Sequence, residues 1–145
     1  MSKVLGVDFG ERRTGVAISD DSRTIAFPRE TLDCPRTEQA AAAVARLAAA
    51  EHVAEIVVGY PLNMNGTMGA RTARTDEFMA ELAKRTAVPL KKWDERLSTK
   101  IAEAVLIEAG TSRGKRRGVV DKLAAQVILQ GYLDATASPV AEDEP

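Results

Sequence analysis

Residues 4–10 read VLGVDFG. A short apolar run ends in Asp8, and Gly10 follows two residues later. The run has the length and composition of a buried strand, spanning about 3–9. An acid at the end of such a strand is costly to desolvate unless it is paired, neutralised or bound to a metal. What the rest of the chain brings to Asp8 therefore decides the reading.

Working outward, TGVAISD (14–20) is a second strand, with GERR (10–13) as the turn between them. TIAFPRET (24–31) is a third, and Pro28 argues for an edge position or a strand end. The opening is thus an antiparallel meander. The pattern then changes. Residues 36–51 are alanine-rich with Val44 and Leu47 at helical spacing, which predicts a helix. AEIVVGY (54–60) is a strand stopped by Pro61, and LNMNGTMG (62–69) is a loop. A helix follows over 70–86, with Phe78 and Leu82 four apart as core residues, and then a strand over 88–95. A helix is expected from Ser98 to Ala109, closed at Gly110. TSRGKRRG (111–118) reads as a flexible basic loop, 119–134 as the last helix, and 136–145 as a mobile tail. The order β-β-β-α-β-α-β-α-α implies an α/β fold, a mixed five-stranded sheet flanked by helices. One domain over 1–135 accounts for the pattern, with no internal repeat.

The chain has 145 residues, enough for one real core, and a formal net charge of −1. Three of its 21 acids, Glu142, Asp143 and Glu144, lie in the tail; the other 18 face 20 basic residues. A body this weakly basic would bind nucleic acid through local patches and not through a global field. Cys34 is the single cysteine, so no intramolecular disulfide forms and a reducing, cytoplasmic location fits. His52 is the single histidine, which argues against histidine-based metal sites. MSKVLGV does not resemble a signal peptide, and AAAAVARLAAA (40–50) is too short and too interrupted to span a bilayer, so no membrane association is expected.

Under right-handed crossovers the first, fourth and fifth strands are parallel, so their C-terminal ends share one edge, where ligands of open α/β sheets bind. Asp8 ends the first strand, Asp94 and Glu95 end the last, and Asp121 opens the last helix. Carboxylates that converge without His or Cys partners suit hard cations such as Mg²⁺ or Mn²⁺. Two such ions about 3.5–4 Å apart can stabilise the attacking and leaving oxygens of phosphodiester cleavage. Each acid has basic neighbours able to hold backbone phosphates: Arg12 and Arg13, Arg96, and Arg113, Lys115, Arg116 and Arg117. Taken singly, each residue also has a plain structural reading. A strand-end Asp is commonly a turn or cap residue, and Asp121 could favour a helix N-terminus through the macrodipole. The basic segment could be a solvated loop, and Asn63 and Asn65 could be turn formers. Trp93 reads as core and His52 as surface.

Four stretches, VDFGERRTGVAIS, VVGYPLNMNGTMG, DERLST and VDKLAAQVILQGYL, occur in one order from about residue 3 to residue 134. Together they resemble the YqgF/RuvX family, whose members are described as Holliday junction resolvases and as pre-16S rRNA nucleases. The resemblance implies an RNase H-like fold. It also implies that Asp8, Glu95 and Asp121 are catalytic and hold Mg²⁺ or Mn²⁺, two ions being expected. Of the adjacent pair Asp94 and Glu95, strand alternation admits one to the site, and the family motif selects Glu95. Two departures stand out. Related resolvases often carry a second acid one turn along the last helix, where this chain has Ala124. A position that is commonly Ile is Thr14.

The expected activity is metal-dependent hydrolysis of structured nucleic acid, with processing of the 5′ end of pre-16S rRNA favoured and four-way DNA junction cleavage as the alternative. Junction resolution needs two symmetric cuts and hence a homodimer. The LNMNGTMG loop, through Asn63 and Asn65, is a further candidate contact. Two other readings remain open at this point. A nucleotide-binding module of the actin-like kind would need a second half that 145 residues cannot hold. A non-catalytic nucleic-acid-binding role is consistent with the absent fourth acid.

Overall fold

A computed structural model of the chain describes residues 2–63, 65–94 and 113–137, with the backbone alone at 113–121. Its elements are β1 (Val4–Asp8), β2 (Arg13–Ser19), β3 (Ala26–Asp33), α1 (Thr37–Ala50), β4 (Glu55–Tyr60), α2 (Ala70–Ala83), β5 (Leu90–Asp94) and α3 (Arg113–Ala135). The strands form one sheet in the order β3-β2-β1-β4-β5. β1–β2 and β2–β3 pair antiparallel, whereas β1–β4 and β4–β5 pair parallel. This is the expected mixed α/β sheet, with the C-terminal ends of β1, β4 and β5 on one edge. Pro28 sits on edge strand β3, beside the irregularity between Val16 and Ala17, where its missing N–H costs no ladder bond.

Alternation along β1 divides the core in two. Leu5, Val7 and Phe9 pack with α1 and α2, through Ala40, Val44, Ala48, Phe78 and Leu82. Val4 belongs to the other cluster, with Ala125, Ile128, Leu129 and Leu133 of α3. In α1 the alanines both favour the helix and let it lie close to α2. The helix ends where His52 takes a left-handed φ of 54° and Val53 N–H bonds the Ala48 carbonyl at 3.1 Å. His52 is thus an exposed helix terminator, in keeping with its surface reading.

α3 is registered against the sheet by specific contacts. A Cβ at Gly6 would lie 2.7 Å from Leu129 Cβ and 3.3 Å from the Ala125 carbonyl oxygen, so only glycine allows this approach. Gln130 Oε1 accepts from Ala26 N at 2.9 Å, while Gln126 Nε2 donates to Ala26 O at 3.0 Å. Tyr132 donates its hydroxyl to Glu55 Oε1 at 2.6 Å and meets Trp93 edge-on. Trp93 is therefore core-facing, as its sequence setting suggests.

One expectation is overturned. Residues 113–118 are not a loop, because α3 already begins at Arg113. Lys and Arg are good helix formers, and the two glycines there cost only about 1 kcal/mol each relative to alanine. The helix expected over 98–109 and the tail beyond residue 137 lie outside the described residues. Among the described residues, no helix is long and apolar enough to cross a membrane.

Candidate active site

Asp8 ends β1 on the α3 face, two residues beyond Gly6 and half-buried. Its partner in β2 is Gly15. On the other side, the β1–β4 register runs through Val7 and Val58, which brings Gly59 alongside. The residues directly beside Asp8 in the sheet are thus both glycines, which place no Cβ against it. The turn after Asp8 is equally constrained: a Cβ at Gly10 would lie 2.3 Å from the Arg13 carbonyl oxygen. The spacing of VDFG thus places an acid on a strand end and a glycine in the turn that must follow.

The register of α3 brings residue 121 to the same level. Leu129 and Ala125 lie over Gly6, and Tyr132 reaches Glu55, the β4 partner of Val4. α3 therefore runs antiparallel to β1. One turn back from Ala125 advances the helix by about 6 Å. Two residues on from Gly6 advance the strand by about 6.6 Å. The backbone of Asp121 consequently comes level with Asp8. The macrodipole reading of Asp121 fails on the same geometry, since α3 starts at Arg113 and the dipole acts within the first turn. Ala124, where a fourth acid could have stood, is fully buried.

Along β5, Leu90 packs against the α1/α2 core and Trp93 against the α3 core. Alternation then puts Asp94 on the face opposite Asp8. Glu95 and Arg96 lie outside the described residues. Among the described residues no group of three His, Cys, Asp or Glu could hold a metal. The described part of the proposed donor set is Asp8 together with the helix backbone at 121, and an all-carboxylate set of this kind has the chemistry of a hard-cation site.

The basic residues divide by place. Arg12 is exposed in the turn, with Nε 3.8 Å from Asp33 Oδ1. Arg13 opens β2 on the face of Gly15 and Asp8. Arg113, Lys115, Arg116 and Arg117 belong to the first turns of α3, where the backbone alone is described. The two asparagines of the 62–69 loop hold that loop together. Asn63 Nδ2 donates to Thr67 Oγ1 at 3.0 Å, and Asn65 Oδ1 accepts from Thr67 N at 3.1 Å.

Sequence reasoning missed a second set of residues at this edge. Phe9 stacks on Phe78 with ring centroids 4.5 Å apart, which holds the middle of α2 against the β1–β2 turn. There Arg74 of α2 pairs with Glu11 of the turn. Hydrogen bonding and charge from Arg74 lower the pKa of Glu11, with a smaller contribution from Arg71. Beside them Tyr60 donates to Asp76 Oδ2 at 3.0 Å, and Lys92 Nζ lies 3.3 Å from Asp76 Oδ1 and 4.3 Å from the Tyr60 ring centroid. The signal for the arginines was their three-residue spacing at a helix start, which places both on one face.

A family model described as RuvX: Holliday junction resolvase matches residues 2–135. A relative from Symbiobacterium thermophilum is 48% identical over 136 residues, covering 94% of each chain. One from Halothermothrix orenii is 47% identical over 132 residues, covering 91% of this chain and 94% of its own. Both carry the name "Putative pre-16S rRNA nuclease". Among solved structures, Thermus thermophilus RuvC in complex with Holliday junction substrate matches with a TM-score of 0.60 at 14% identity, covering 93% of this chain and 95% of that one. The fowlpox virus resolvase, complexed with substrate Holliday junction DNA, gives 0.59 at 12% identity, covering 94% and 99%. At such identities the likeness is one of fold, and the fold is RNase H-like.

Proposed function

The chain belongs to the RuvX family, described as Holliday junction resolvases, and from that premise we propose that it is a divalent-metal-dependent nuclease acting on structured nucleic acid. The observation that carries this reading is the placement of Asp8: a carboxylate on a strand end, flanked by glycines, with the backbone of residue 121 level with it. We assign catalysis and metal binding to Asp8, Glu95 and Asp121, with two ions, Mg²⁺ or Mn²⁺. Glu95 is preferred to Asp94 because Asp94 falls on the opposite face. We assign the nuclease domain to residues 1–135 and treat 136–145 as an appended acidic tail.

Bound at these carboxylates, the ions supply Lewis acidity and charge neutralisation for phosphodiester hydrolysis. The chain's own contribution is positional. The pleat of β1 fixes the direction of Asp8, and the packing of Leu129 on Gly6 fixes the height of α3 against it. Arg12, Arg13, Arg96 and the basic first turns of α3 (Arg113, Lys115, Arg116 and Arg117) hold backbone phosphates. Asn63 and Asn65 act through the shape they give their loop.

Processing of pre-16S rRNA, at its 5′ end, is the favoured role, since the relatives near half identity are named as pre-16S rRNA nucleases. Cleavage of four-way DNA junctions is the second reading, supported by the family description, and it would require a homodimer. A third, non-catalytic reading draws on the buried Ala124.

The test is incubation with a pre-16S leader RNA and with a synthetic four-way junction, each in Mg²⁺, Mn²⁺ or EDTA. Cleavage should require the metal and fall by about 10³-fold or more in Asp8→Ala, as loss of several kcal/mol of transition-state stabilisation implies. The substrate that is cut separates the first two readings. Binding without cleavage would establish the third, and cleavage that survives either EDTA or Asp8→Ala would sink the assignment.

A further inference from the structure

The β1–β2 turn and the first turns of α2 enclose a cleft of about 250 Å³ lined by Phe9, Gly10, Glu11, Arg71, Arg74 and Thr75. Two guanidinium groups, three residues apart on one helix, line its α2 side. Gly10 contributes no side chain. Thr75 donates its hydroxyl to the Arg71 carbonyl at 2.9 Å, so that donor is already engaged. The Glu11 carboxylate also lines the cleft and pairs with Arg74.

A carboxylate presents two oxygens in one plane to a guanidinium, and a phosphodiester presents its two non-bridging oxygens in the same way. Glu11 is a turn residue with a largely exposed side chain, so it can swing out at little cost. Glu11 is three residues beyond Asp8, and Gly10 two. The cleft lies on the α2 side of the sheet edge that Asp8 occupies from the α3 side. A polynucleotide strand crossing that edge to reach Asp8 would carry a neighbouring phosphate over the cleft.

We propose that this cleft seats a nucleic-acid backbone phosphate next to the one being cleaved, with Arg71 and Arg74 as its contacts and Glu11 as the anion that holds its place in the free protein. This rests on the nuclease reading for the direction of the strand. It adds a contact surface on α2 and a built-in competitor that weakens binding.

The experiment is fluorescence anisotropy in EDTA over a series of KCl concentrations, with a labelled pre-16S leader RNA and a labelled four-way DNA junction as separate probes. Arg74→Ala should weaken binding about tenfold, as loss of a charged hydrogen bond implies. It should also reduce the slope of log affinity against log salt by about one. Glu11→Gln should tighten binding by about two- to fivefold, the range expected for releasing an exposed ion pair. Thermal unfolding of each variant checks the fold, and Arg74→Gln, which keeps most of the side-chain stem, replaces Arg74→Ala if the latter unfolds early. Whichever probe shows the pattern identifies the polynucleotide seated. Unchanged affinity and slope in both variants, with wild-type cleavage intact, overturns the seat and leaves the nuclease reading standing. The expected pattern without metal-dependent cleavage by the wild type keeps the seat and removes the nuclease reading. Absence of binding to either probe by the wild type overturns the seat.

Discussion

Thr14 is fully buried on the α1/α2 face of β2, and its hydroxyl has no hydrogen-bond partner among the described residues. A buried polar group left unsatisfied costs about 1–3 kcal/mol. Thr14→Val keeps the shape and removes the polar atom, so it should stabilise the protein by about 1 kcal/mol. In a chain of this size that raises the melting temperature by about 2–4 °C, readable by circular dichroism or calorimetry. Activity should be unchanged, because Asp8 lies on the other face. A lower melting temperature would mean that the hydroxyl has a partner. The sequence had marked the position through resemblance, since an aliphatic residue is common there. It could not show the burial that makes the hydroxyl costly. Asp8 and Gly10 were legible for a different reason: a strand end and a tight turn are local events. Arg71, Arg74 and Glu11 were not, because a turn and a helix start some sixty residues apart must first be folded together.

At the scale of elements, α3 is bound to the sheet through its own side chains, and one of these titrates. Burial and the Glu55 carboxylate beside it push the Tyr132 hydroxyl up to about 12 from its ordinary 10.0. The folded state therefore keeps its proton where the unfolded state has lost it. The resulting stabilisation is complete below pH 10 and is lost as pH rises from about 10 to about 12. Urea unfolding of the wild type and Tyr132→Phe at pH 9, 10, 11 and 11.5 should show the stability difference between them shrinking along this series. A difference that stayed constant with pH would mean that the Tyr132–Glu55 contact does not persist in solution. Of this helix the sequence disclosed the part that packs, 119–134, through its apolar spacing. Residues 113–118 before it read as a loop in the sequence because a run of basic residues and glycine has no apolar period, although its propensity permits a helix.

The whole molecule is organised around β1, which has β2 and β3 on one side and β4 and β5 on the other, with helices on both faces. Amides of β1 and β4 should exchange with solvent slowest, through global unfolding, and those of edge strand β3 sooner, through local opening. Hydrogen exchange followed by NMR checks the order, and faster exchange in β1 than in β3 would contradict it. The sequence by itself determined the strands and most of the helices, the antiparallel opening and the later β-α crossovers, and so the α/β class and the edge on which Asp8 stands. These follow from apolar period, turn residues and the handedness of crossovers, which act over a few residues or apply to any chain. Only the tertiary structure decided that glycines flank Asp8, that α3 is pressed down on Gly6 until residue 121 comes level with that acid, and that Glu11 meets Arg74 across a cleft. Those facts depend on the register between elements distant in sequence, and register is set by close packing of side chains that no local pattern encodes.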